Sequence, residues 1–191
     1  MTTTFTLSSF ELLFEPITPE VGIPINPSPA VPDPVVVQAY FALISNVGSV
    51  SAPLTLTFHS TANGTLTLSD TFYVFDFENA LFTPNSLAPI TGNKGVANLA
   101  PIPAGETALF LLQPNIESLL AGLGTPPDIT KAKAGLRGYV EVNSSTAGSS
   151  FLISPATRGT FLTLDASGSF LQVVSEEAYS LQTPTSNKYN F

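Results

Sequence analysis

Short runs in which apolar and polar residues take turns fill most of this chain, and such two-residue alternation predicts half-buried strands. Phe5 and Leu7 alternate in one register, while Phe10, Leu12 and Phe14 alternate in the opposite one. The slip at Ser8-Ser9 predicts a β-bulge or two short strands. From Val35 to Asn46 both faces are apolar, which predicts a central strand. Leu54, Leu56 and Phe58 share one face with Thr55, Thr57 and His59 opposite, and Leu66 and Leu68 repeat the pattern. Asn63-Gly64 between these runs predicts a hairpin. Residues 72–77 are aromatic on both faces, which predicts either a buried strand or an edge strand awaiting a partner. Further strands are expected at 107–112, 136–143, 151–153, 160–164 and 170–174, with Asp165-Ala166-Ser167-Gly168 joining the last two as a tight hairpin. Residues 83–100 and 125–133 read as loop and linker. One helix fits the spacing: Asn115 caps it, Ile116, Leu119, Leu120 and Leu123 form one face, and Gly122 and Gly124 stop it.

Nine or ten short strands with one short helix predict an all-β fold, a β-sandwich of immunoglobulin-like or jelly-roll type. Prolines divide the chain further. Seven of the seventeen lie between Pro16 and Pro34. Proline fixes φ and lacks a backbone donor, so this stretch is neither an interior helix nor a central strand. It reads as an extended arm of roughly 60 Å carrying an N-terminal strand. The organisation expected is therefore residues 1–34 as strand and arm, and 35–191 as the β-sandwich domain. An arm of that reach serves a strand paired at home or on a neighbouring subunit.

The 191 residues suffice for a core without staples, and the absence of cysteine excludes disulfides and thiolate metal sites. Only 10% of residues are charged, and the net charge is −8 with six basic residues. No basic stripe exists to neutralise phosphates, which argues against nucleic acid and anionic membranes as partners. No apolar run approaches a membrane span, and the opening residues lack the charged and apolar regions of a signal peptide. A cytoplasmic protein, or one exported without a leader or already processed, is the expectation.

Candidate chemistry is sparse. His59 is the single histidine, and it falls on the polar face of an expected strand. No Gly-x-Ser-x-Gly elbow or phosphate-binding glycine loop occurs. Asp76 and Glu78 share a strand face with Asp70 upstream, but no Asp/Asn/Gly-dense calcium loop surrounds them. Arg137 and Arg158 stand near expected strand ends, where either can clasp Glu176 or Glu177. No catalytic, cofactor-binding or metal-ligating set is expected, and no enzyme.

Two stretches resemble the bacterial CARDB-type immunoglobulin-like modules. One is Ile44-Ser45-Asn46-Val47-Gly48-Ser49 followed by Ala52-Pro53-Leu54-Thr55-Leu56; the other is Leu99-Ala100-Pro101-Ile102-Pro103-Ala104-Gly105-Glu106-Thr107. The resemblance covers the middle third. It implies that the first stretch ends a core strand in an Asn-x-Gly turn, that the second is a turn before a later strand, and that the role is adhesive or architectural.

The functional expectation is a structural subunit that self-associates through β-sandwich surfaces, with or without an exchanged N-terminal strand, as part of a filament, shell or appendage. A neighbour's edge would receive Phe5, Leu7, Phe10, Leu12 and Phe14 from an exchanged N-terminal strand. The partner is then the protein itself or another protein. The alternative is a glycan- or ligand-binding β-sandwich, with Tyr40, Tyr73, Tyr139 and Phe75 as candidate platforms.

Overall fold

β-branched and aromatic residues at alternate positions build strands here because each pleated face can be buried separately. In the computed structural model the described residues are 3–16, 34–61, 64–77, 83–125, 127–128, 131–164, 171–183 and 187–191. They form β1 (Thr4–Pro16), β2 (Val35–Asn46), β3 (Thr55–Ser60), β4 (Thr71–Asp76), β5 (Ile90–Thr91) and β6 (Lys94–Asn98). After these come β7 (Thr107–Pro114), helix α1 (Ile116–Ala121), β8 (Ala134–Asn143), β9 (Ser150–Leu164), β10 (Leu171–Ser180) and β11 (Lys188–Asn190). The fold is all-β, a curled antiparallel sheet closed into a sandwich, with one short helix.

The curl originates at β2. It pairs with β1 through Val35–Gln38 and then with β7 through Tyr40–Ser45, while β9 runs along its other edge from Val35 to Asn46. One layer continues β1-β8-β3-β6-β5, and the other continues from β2 to β7 and β4. Between them Phe10, Tyr40, Phe58 and Phe110 interlock, with ring centroids 5.4 to 6.5 Å apart. Such edge-to-face and offset contacts add to the burial of their area. Tyr40 is fully buried, and its hydroxyl bonds that of Ser8 at 3.1 Å. Burial pushes the Tyr40 phenol well up, against the smaller lowering effect of Ser8.

β1 belongs to this core. It pairs with β8 from Thr4↔Asn143 to Phe14↔Ala134, with a bulge between Thr6 and Ser8 where the sequence changes phase. Leu7, Phe10, Leu12 and Phe14 are buried, and Phe5 packs against Tyr189 and Phe191. Residues 4–16 thus share one core with the body, where the sequence reading set an arm apart from a domain. Both edges of β3 are taken, by β6 and β8, and not by Leu66 and Leu68 as the sequence suggests. Leu66 and Leu68 are buried without a strand, the latter in a single helical turn closed by Asp70, whose carboxylate accepts from Thr67 N and Oγ1. Asn63, the prolines from 17 to 33, Glu78 and the 165–168 turn lie outside the described residues.

The aromatic segment 72–77 provides β4, an edge strand beside β7. Within residues 83–100, read as loop, β6 forms against β3. Two expected strands merge into β9, whose outer edge is covered by β11 up to Leu152 and by β10 from Ala156. Pro155 sits in the gap between them, where a missing N–H costs no ladder bond. Helix α1 forms as its cap predicts, with Asn115 Oδ1 accepting from Ser118 N at 3.2 Å.

Candidate functional site

Two outer sheet faces, on opposite layers, carry the side chains that could meet a partner. The first spans β7, β2 and β9. Register sets Phe41 beside Leu111 and Ala156, Leu43 beside Leu109 and Ser154, and Ser45 beside Leu152. Leu43 is 51% exposed and Leu152 42% exposed. At one end a hollow of about 280 Å³ lies among Val37, Phe41, Leu111, Gln113, Arg158 and Glu176. Arg158 pairs with Glu176 across β9 and β10, and its guanidinium sits 5.8 Å from the Phe41 ring centroid. That pair realises one of the expected clasps. Register also sets Asp76 beside Leu109 and Lys188 beside Leu152, so two acids and two bases frame the apolar strip and leave this face without net charge in a chain of net charge −8.

The second face spans β1, β8 and β3. His59 and Tyr139 are directly opposite in register, and their rings stack with centroids 4.5 Å apart and planes 3° from parallel. His59 Nε2 meets Glu141 Oε2 at 2.8 Å. Arg137 pairs with Glu11 instead of the C-terminal acids, and this bond raises the guanidinium pKa. Glu11 also accepts from Gln38 Nε2 at 3.2 Å.

Of the four aromatic platform candidates, Tyr139 alone stands open, at 44% exposure. Tyr40 is core, Tyr73 is partly buried and stacks on Phe110, and Phe75 is partly buried against the core. The five N-terminal candidates for a neighbour's edge, Phe5, Leu7, Phe10, Leu12 and Phe14, meet their own chain. Sequence reasoning missed the strip of Phe41, Leu43, Leu109 and Leu111. Its signal was present: both faces of β2 are apolar, and only one of them can face the core.

The edge strands offer less. β10 is exposed on both faces among its described side chains, but Glu176 and Glu177 and a bulge between Val173 and Ser175 guard it against strand addition. Among the described residues no cluster of three metal-ligating side chains occurs, and no helix is long and apolar enough to cross a membrane.

The two CARDB-like stretches meet in space. Asn46 is buried at the end of β2, Gly105 N donates to its carbonyl at 2.8 Å, and Asn46 N donates to Glu106 O at 2.9 Å. No family model and no curated protein matches the chain. Among solved structures it is similar to ACE19, the collagen binding subdomain of the Enterococcus faecalis surface protein ACE. The identity is 10%, over 75% of this chain and 86% of that one, with a TM-score of 0.25. A likeness at that level carries no argument about function.

Proposed function

We propose that this chain works by contact, without turnover, as a structural subunit that self-associates through the β7-β2-β9 face. The observation that carries the reading is Leu43, half exposed at the centre of an apolar strip with Phe41, Leu109, Leu111 and Leu152. Open apolar patches on a folded surface mark interaction sites. Charge leaves this face as the place where a second copy can dock. Two molecules of net charge −8 repel, and they approach most easily where the surface is neutral.

Strand exchange fits within the same reading. Pro16 lies opposite Val35, so a neighbour's β1 delivered by its own linker would make the same contacts as the resident strand.

The mass of the particle in solution, measured by light scattering, tests the reading. The full chain should form a defined multiple of its monomer mass, and Leu43→Glu with Leu152→Glu should reduce it to monomer while it stays folded. A wild-type monomer at high concentration would remove the proposal. Exchange has a separate test in Glu15→Cys with Val36→Cys, which face each other across β1 and β2. Oxidation yields a covalent dimer if strands are exchanged and a cross-linked monomer if they are not.

A second reading, a glycan- or ligand-binding module, is favoured by one observation: the open ring of Tyr139.

A further inference from the structure

The parallel stack fixes which way Tyr139 looks. His59 stands on β3 directly opposite, so one face of the phenol ring is covered by the imidazole. The other face must look across to β1, where the register places Ser9. Ser9 is exposed, and its side chain is too short to cover a ring. The outcome is an open aromatic wall above a hydroxyl.

Polar groups flank that wall on both sides. Along β8, Arg137 precedes Tyr139 by two residues and Glu141 follows by two, which places each about 7 Å away on the same face. Both are already engaged, Arg137 with Glu11 and Glu141 with His59. Paired groups of this kind keep free lone pairs and N–H bonds at fixed positions.

We infer that Tyr139, Ser9 and the Glu11–Arg137 pair form a subsite for a neutral pyranose. A pyranose has an apolar C–H face and a rim of hydroxyls. Its C–H face would lie on the open side of Tyr139 over Ser9. Its hydroxyls would exchange hydrogen bonds with Ser9 Oγ, the Glu11 carboxylate and the Arg137 guanidinium. Guanidinium and carboxylate balance one another, so a neutral sugar suits the site better than an acidic one. The platform is flat and solvent-facing, so affinity should be modest, with a Kd of about 1 mM for one residue of an oligosaccharide.

This inference rests on the second reading and is independent of self-association. The test is an NMR titration of the full chain with maltose and cellobiose, following the aromatic signals of Tyr139, with p-cresol as a separate arm. One of the disaccharides should shift Tyr139. Tyr139→Ala should weaken sugar binding at least about tenfold. Ser9→Ile, which keeps the ring but covers it, should do the same, and Glu11→Gln should weaken binding severalfold. If p-cresol shifts Tyr139 and neither sugar does, the sugar assignment fails while ligand binding stands. If neither probe shifts it, both fail. Sugar binding unchanged by Ser9→Ile would place the ligand elsewhere and overturn the subsite.

Discussion

Asn46 reaches from the end of β2 to Ile102, 56 residues further along, and donates from Nδ2 to its carbonyl at 2.8 Å. The same nitrogen donates to Val50 O at 2.8 Å, and Oδ1 accepts from Gly48 N at 3.0 Å. One buried amide thus ties two turns together, as a donor to Val50 O and as a second donor to Ile102 O beside Ala52 N. Gly105 closes the second turn at φ +82°, a region that favours glycine.

Removing that amide takes a donor from Val50 O, leaves Ile102 O with Ala52 N alone, and takes the acceptor from Gly48 N. Asn46→Ala should cost about 2–3 kcal/mol in urea unfolding. Asn46→Asp should cost more at neutral pH, because a buried carboxylate has no N–H to give to Ile102 and Val50. A loss below about 0.5 kcal/mol for either variant would show that the turns hold without the tie.

Gly138 leaves no room for a methyl group. A Cβ there would lie 1.9 Å from His59 O and 2.9 Å from Phe10 Cε1. The nearest atom is backbone, so Gly138→Ala should push β3 away from β8 and cost about 3 kcal/mol or more. The His59–Tyr139 stack should loosen with it, visible as a change in the Tyr139 ring signals.

Phe10 joins Tyr40 and Phe58 across the layers. Phe10→Ala should cost about 3–5 kcal/mol, as cavities left by large aromatics do. Deleting residues 1–15 removes a whole strand from beside β8 and should abolish cooperative unfolding. A truncated chain with a sharp melting transition would mean that β1 contributes little to its own core.

Alkaline pH should destabilise the fold through Tyr40. Burial keeps its proton on in the folded state beyond the pH of about 10 at which an exposed tyrosine ionises. Above that pH the unfolded chain binds fewer protons than the folded one, so stability falls as pH rises. Tyr40→Phe should flatten this decline and cost about 1 kcal/mol at neutral pH for the Ser8 bond. Urea titrations at pH 7 and near pH 11 decide it, since an unchanged slope in the variant would assign the decline to other groups.

Local pattern made much of the fold legible. β2 announces itself by apolar residues on both faces, and helix α1 by Asn115 followed by Ile116, Leu119 and Leu120. Tyr139 was picked out as an aromatic candidate, but its stack on His59 was not, because it needs the β3–β8 register. What stayed hidden is non-local. Nothing in the N-terminal pattern points to β8, more than a hundred residues away. β6 was lost because Gly95 interrupts its alternation. The glycine is there because Leu87 and Leu68 press against it, 3.0 and 3.2 Å from where a Cβ would stand. Leu66 and Leu68 imitate a strand because two buried leucines around one exposed threonine look the same in either geometry. Pro155 split β9 on paper, since the gap that tolerates it exists only once β10 and β11 are in place.

Phe5 stacks edge-on against both Tyr189 and Phe191, so the first strand and the last residues converge at one pole. The polypeptide is therefore nearly a closed circle. A short bridge from Phe191 to the start of β1, with a cut at the Gly92-Asn93 turn, would reorder the strands along the polypeptide while leaving the described pairings between them in place.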